Sequence, residues 1–228
     1  MGVWVVTGIA AVVLWVGVLI TTAAADTVPA AGRLEDPQRG TTCSASLVTP
    51  DVVLTAAHCV AKYLGAEADK KIPIVFRPGT GQNATTYSID QIVLHPLYDS
   101  VNDPQIWSLR FDVAAVRLAT PVPSEIAEPF ETGPEAELGE KLFIVSWRTH
   151  NSQQPRQRAC DVMPGARGLV TLACNVLGGE SGAPVLRKGE NGLELVAVVS
   201  SRGQILQQPI AQASNVALRL PPLLAEFD

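Results

Sequence analysis

The chain has 228 residues, with 17 basic against 22 acidic side chains and a formal charge of −5. A mildly acidic chain without a basic cluster makes a poor nucleic-acid binder, and 47% hydrophobic residues exclude an intrinsically disordered one. Aromatics are only 5%, while Val, Ala, Gly and Pro are abundant, a composition suited to many short strands and turns.

The first charged side chain is Asp26. Residues 3–20, VWVVTGIAAVVLWVGVLI, form an 18-residue, mostly apolar run. TTAAAD follows, in which Ala23 and Ala25 make the small-x-small pattern of a signal-peptidase site. A secretory signal over 1–25, cut after Ala25, is the expectation. An uncleaved anchor is the alternative, because 18 apolar residues nearly span a bilayer. A buried core helix is a third reading. Signal and anchor both place residues 26–228 outside the cytoplasm, and membrane association is expected only if 1–25 are retained.

Residues 26–42 read as a polar lead-in. Short β-like runs then alternate with turn signals, at 45–48, 52–55, 72–76, 88–94 and 113–118. A Pro- and Glu-rich linker is expected over 121–134. Further strands are expected at 142–147, 168–172, 183–186, 193–200 and 214–218, with a short terminal helix over 220–227 starting at Pro221-Pro222. Pro78-Gly79, Pro164-Gly165, Gly178-Gly179 and Asn191-Gly192 punctuate the runs. The reading is all-β, in two halves around the linker. Asn83-Ala84-Thr85 has the pattern of a glycosylation sequon.

Four cysteines lie beyond the apolar run: Cys43, Cys59, Cys160 and Cys174. An even count in an exported chain favours disulfides, and four cysteines allow three pairings. They fall into two clusters, so Cys43 with Cys59 and Cys160 with Cys174 is the natural pairing. Free thiols are the alternative. A zinc site is not expected, since there is no CxxC and the Cys59 neighbour His58 fits no finger or ribbon spacing.

Three residues stand out chemically. His58 follows an apolar run among small residues and adjoins Cys59, whose disulfide would hold the backbone beside the imidazole as a general base requires. Asp112 is a lone carboxylate leading into a hydrophobic strand; its burial demands a partner, and an imidazole N–H suits. Ser181 sits in GGESGAPV, where flanking glycines permit tight backbone conformations. They leave the N–H groups of Gly179 and Ser181 available to a developing oxyanion. Each has a bland counterpart: a structural histidine, a strand-end aspartate, a Gly-Ser turn. The order His58, Asp112, Ser181 narrows the choice. It excludes α/β-hydrolases and subtilisins, whose chain orders differ.

These blocks resemble the trypsin/chymotrypsin-like serine protease family. CSASLVTPDVVLTAAHCV, residues 43–60, is similar to its active-site histidine block, and the Cys-x15-Cys spacing matches the family disulfide that brackets the histidine. IVLHPLYD at 92–99 followed by FDVAAVRL at 111–118 resembles HPxY…DIALL. GGESGAPV resembles GDSGGP, and 195–203 resemble the later substrate-binding strand. The resemblance implies two six-stranded antiparallel β-barrels with a short C-terminal helix, the first over about 32–123 and the second over about 136–219. It implies His58 as general base and acid, Asp112 as its orienting carboxylate, Ser181 as nucleophile, and the Gly179 and Ser181 amides as oxyanion hole. His95 is structural by analogy, and His150 has no assigned role. No cofactor and no metal are implied. The expected partner is a protein or peptide substrate, and the expected state a monomer.

The sequence also departs from the family's animal members. It has no Ile-Val-Gly-Gly start, and Glu180 stands where they have aspartate. The lead-in AAGRLEDPQRGTTC and the spacing from Cys174 to Ser181 resemble bacterial, glutamyl-endopeptidase-like members, so activation by amino-terminal insertion is not expected. Candidate pocket residues are Asn175, Val176, Val199, Ser200, Ser201 and Arg202. Asn175 is no carboxylate, so a strong Arg/Lys preference is not expected. Val199 stands where glutamyl specificity usually needs histidine. A small or apolar residue at the cleavage site is the expectation, with Arg202 either attracting an acidic group or solvated at the rim. The reading is an exported serine endopeptidase. A non-catalytic binding protein on the same scaffold and a membrane-anchored envelope protease are the alternatives.

Overall fold

The computed structural model describes residues 1–2, 28–64, 71–79, 85–98, 106–148 and 154–227. The expected signal segment, His150 and most of the sequon therefore lie outside the described residues. Among the described residues no helix is long and apolar enough to cross a membrane.

Six strands close the first barrel: β1 (Ala31–Asp36), β2 (Thr41–Thr49), β3 (Val52–Thr55), β4 (Val75–Pro78), β5 (Tyr87–Leu94) and β6 (Ala114–Leu118), in the order β1-β2-β3-β6-β5-β4. Pairing of β1 with β4 completes the ring. All four residues of β3 are buried, so its continuous apolar sequence reflects burial on both faces. Alternation is clearer in β5, and its register shifts between Ile89 and Gln91.

The second barrel uses β8 (Lys141–Ser146), β9 (Arg156–Met163), β10 (Leu169–Leu172), β11 (Pro184–Lys188), β12 (Leu193–Ile205) and β13 (Gln208–Asn215). Their order is β11-β8-β9-β10-β13-β12, and the β11–β12 pairing closes it. Inside the expected linker, β7 (Glu131–Thr132) adds a short parallel pairing to the start of β12. The all-β architecture of two six-stranded antiparallel barrels is thus present.

Local corrections have physical causes. The lead-in contains β1: Arg33 and Glu35 point outward and pair with each other at 3.3 Å, while Leu34 and Asp36 are buried. Charge on the alternate face made this strand look polar. The final strand ends at Asn215, not 218, and α3 (Val216–Leu224) begins earlier than the Pro-Pro pair. Asn215 caps the helix by accepting the Leu218 N–H at 3.2 Å, which makes it the start signal. Pro221 and Pro222 lie inside the helix. Among the described residues two further α-helices are single turns, α1 (Ala57–Val60) and α2 (Ile106–Leu109).

Phe76, Leu47 and Leu54 fill the first barrel, and Leu142, Ile144 and Leu172 the second, all fully buried. The first core is continuous with Trp147 and Val198 of the second half and with Leu220 and Leu223 of α3. Fully burying such a side chain contributes about 1.5–3 kcal/mol, so the barrels are joined by apolar packing. Disulfides Cys43–Cys59 and Cys160–Cys174 close loops with sequence separations of 16 and 14. Each stabilises the fold by roughly 3 kcal/mol in the chain-entropy picture. The Cys43, His58 and Cys59 ligand atoms cluster within 4.8 Å, but the two sulfurs are bonded to each other and offer no thiolate to a metal.

Candidate active site

His58 is carried on α1 directly after β3, and Asp112 precedes β6, the neighbour of β3 in the barrel. This adjacency brings residues 54 apart in sequence into contact. The His58 backbone N–H donates to Asp112 Oδ1 at 2.9 Å, and the ring Nδ1 lies 2.7 Å from Oδ2. Ser200 of β12 donates its hydroxyl to the same Oδ2 at 2.5 Å. Burial pushes the Asp112 carboxyl up, but the hydrogen bonds and charge of His58 and the Ser200 hydroxyl outweigh it. The net position is below the ordinary 3.8. An ionised carboxylate only accepts, so His58 Nδ1 carries a proton and Nε2 is the free base position of the neutral ring. The imidazole is 42% exposed and the carboxylate 6%, so one end of the pair faces solvent.

Ser181 lies in the turn between β10 and β11. Gly179 has φ +88° and Gly182 φ +80°. Within this turn Glu180 N–H bonds to Leu177 C=O, Gly182 N–H to Val199 C=O and Ala183 N–H to Glu180 C=O. Among the described residues, the Gly179 and Ser181 N–H groups have no such acceptor. No hydrogen bond joins the Ser181 hydroxyl to His58 in this structure; Cys59 Sγ lies 3.7 Å from Nε2.

Ser44, on β2 beside Cys43, docks the serine turn on the first barrel. Its N–H donates to Ser181 C=O at 2.8 Å and its hydroxyl to Gly179 C=O at 3.2 Å. The same hydroxyl accepts Trp147 N–H at 3.1 Å, and Thr55 donates its hydroxyl to Ser44 C=O at 2.8 Å. Sequence reasoning missed this clamp, because one serine in a strand carries no local signal.

Gly182 packs against that clamp. A Cβ there would lie 2.1 Å from Ser44 O and 2.2 Å from Thr55 Oγ1, on a backbone at φ +80°. Gly182→Ala is therefore expected to destabilise the fold by about 3–5 kcal/mol through strain and overpacking. Thermal unfolding checks it, and an unchanged midpoint would show that the turn moves freely.

A cavity of about 350 Å³ opens beside Ser181, lined among others by Val176, Val199, Ser200, Ser201 and Arg202. Among the described residues Arg202 is the only charged one of its lining, and it is exposed. Asn175 is exposed and outside the lining; its carbonyl accepts from Arg158. Ser200 has a second role, through its bond to Asp112. His95 lies outside the cavity, 5% exposed and stacked on Phe111 at 4.9 Å. Burial and then Arg219 push its pKa below 6.5, and its Nδ1 accepts Leu97 N–H at 3.2 Å, as a neutral ring does.

The family profile described as Trypsin matches residues 20–217. Over 190 residues the chain is 26% identical to a trypsin of Simulium vittatum, covering 69% of each chain. It is 26% identical over 186 residues to chymotrypsin-C of Bos taurus, covering 66% of this chain and 63% of that one. An 80-residue stretch is 32% identical to a venom serine protease of Polistes dominula, covering 33% of this chain and only 29% of the relative.

Proposed function

Because this chain belongs to the trypsin family of serine proteases, we propose that it is an exported endopeptidase acting through His58, Asp112 and Ser181. The observation that carries this reading is the geometry of the buried Asp112 carboxylate, whose Oδ2 lies 2.7 Å from His58 Nδ1 and accepts at 2.5 Å the hydroxyl of Ser200, which lines the same cavity as Ser181. It leaves Nε2 as the proton acceptor.

In the proposed reaction, Ser181 Oγ attacks the scissile carbonyl carbon and passes its proton to His58 Nε2. Asp112 stabilises the imidazolium. The carbonyl oxygen, now an oxyanion, is held by the Gly179 and Ser181 N–H groups. His58 returns its proton to the leaving amine, and an acyl-enzyme remains on Ser181. Water, deprotonated by His58, then hydrolyses that ester and restores the serine. A nucleophile–base bond is often loose before substrate binds, which accommodates the absence of a Ser181–His58 bond here.

Val176 and Val199, 3% and 1% exposed, support a small or apolar side chain at the cleavage site, with Arg202 at the rim. The bacterial, glutamyl-endopeptidase-like grouping rests on the lead-in and on the spacing from Cys174 to Ser181, while the three relatives are animal proteins. Export is supported by the apolar start and by two disulfides, which persist in oxidising compartments. Residues 26–228 form the peptidase domain in this reading, acting as a monomer.

A fluorophosphonate probe is expected to label the folded protein, and no labelling would remove the enzymatic reading in favour of a binding protein on this scaffold. Amino-terminal sequencing of exported protein is expected to begin at Asp26; an intact Met1 or Gly2 would instead make residues 1–25 an anchor.

A further inference from the structure

Leu206 and Gln207 form the two-residue turn between β12 and β13, closed by the Ile205–Gln208 pair. Their φ values are +48° and +69°, and among the described residues they are the only non-glycine positions at positive φ. A hairpin turn with both central residues in that region is the type that Asn-Gly or Gly-Gly fits best; a leucine there is strained by its Cβ. Leu206 is also 97% exposed and Ile205 41%. A lone exposed leucine is ordinary, but here the exposed side chain and the strained backbone fall on one residue. At that exposure no packing within the fold offsets the strain. From Gln204 to Ile210 the arm carries no charged residue.

The arm continues the strand that lines the cavity. Ser200, Ser201 and Arg202 border the space beside Ser181, and Leu206 stands about 20 Å beyond Ser200 at the rise of a strand. On its other side β12 pairs with β11 no further than Val198, and Val199 bonds to the serine turn. Beyond Val199 this edge has no strand beside it among the described residues. Pro209 stands opposite Gln204; it has no N–H, which suits a pair whose Gln204 backbone groups face away from β13. His58 lines a different cavity, with Cys43 and Cys59. Because His58 protonates the leaving amine in the proposed reaction, the leaving side of a peptide lies toward that cavity and the acyl side along β12.

We propose that the hairpin tip is a remote specificity contact, in which Leu206, with Ile205, packs on an apolar side chain about five to seven residues before the scissile bond. The proposal rests on the reading of Ser181 as nucleophile. The exposed leucine gains its partner when a long substrate binds, and the strained turn serves to present it.

The test uses peptides with the same small residue at the cleavage site. One has three acyl-side residues; two have eight, with either leucine or serine at the fifth to seventh residues before the bond. Wild-type protein is expected to favour the long leucine peptide over the long serine one by about tenfold in kcat/KM, the scale of burying one apolar side chain. The difference should lie mostly in KM, as for binding remote from the reacting atoms. The double variant Leu206→Asn with Gln207→Gly is expected to lose that preference to within about twofold, while its unfolding midpoint rises by about 2–4 °C. Gln207→Gly alone is expected to raise the midpoint and keep the preference, because the leucine remains. A wild-type protein indifferent to the two long peptides, a preference kept by the double variant or lost in Gln207→Gly, or a lowered midpoint in the double variant would each overturn the proposal. So would wild-type dimers in sedimentation that the double variant abolishes, which would give the tip to a second copy of the chain. Hydrolysis of the short peptide keeps the Ser181 reading intact in all of these cases; a wild-type protein that hydrolyses none of the peptides would instead remove that reading.

Discussion

Replacing Ser181 by alanine is expected to lower kcat/KM by about 10⁴–10⁶-fold and to abolish fluorophosphonate labelling, with little change in the unfolding midpoint. The hydroxyl is the only atom removed, and the bond that docks this residue is made by its backbone carbonyl to Ser44 N–H at 2.8 Å. Nothing structural is lost with the side chain, so activity and stability separate. Residual hydrolysis above the uncatalysed rate should persist, because the Gly179 and Ser181 amides and the cavity remain. Steady-state kinetics on a peptide substrate check it. A variant keeping a tenth of wild-type turnover would place the nucleophile elsewhere.

Asp112→Asn is expected to cost about 10⁴-fold in kcat near neutral pH. The carboxylate accepts from the His58 backbone at Oδ1 and meets both the His58 ring and Ser200 at Oδ2. A carboxamide has one acceptor oxygen and one NH₂ donor group. With the oxygen held by the backbone N–H, the NH₂ faces Nδ1, which must then accept, and the ring proton moves to Nε2. The histidine is left in the tautomer that cannot take the serine proton. The same site sets a pH dependence. The Asp112 carboxyl is held below its ordinary 3.8 in the folded protein, so its stabilising contribution is present above 3.8. It is lost as pH falls through the lowered value, where the native carboxylate finally protonates. The wild-type protein is therefore expected to lose part of its stability in that acid range, and Asp112→Asn to lack that component. Unfolding midpoints measured from pH 6 down to about pH 2 check the sign; equal slopes for the two proteins would contradict it.

The proposed site was legible where local chemistry is unusual. A histidine beside a cysteine, a carboxylate opening an apolar strand and a serine between glycines each break the local pattern, and their order selects one arrangement. Strands were legible where apolar residues run or alternate, as at 52–55 and 88–94. β9 was not, for a physical reason. In RQRACDVM the inward positions are Arg158, Cys160 and Val162, and the outward ones include Asp161. The period of two is present, but a cation occupies one of its inward places and disguises the strand as a loop. That arginine is tolerated inside because Glu180 comes to meet it from 22 residues away. β7 was hidden inside the Pro- and Glu-rich stretch, since two residues of parallel pairing carry no periodicity.

The sequence by itself determined the all-β class, the two cysteine clusters and the identity and order of the residues proposed for catalysis, because each is written in residue type and short spacing. Only the tertiary structure decided which partners those residues keep. Ser44 reaches Gly179 across 135 positions and Ser200 reaches Asp112 across 88, distances at which no periodicity or turn chemistry survives. Closing two barrels and packing them through one apolar core brings such residues together. Burial then imposes a partner on every polar group carried inside, and for Glu180 that partner is Arg158.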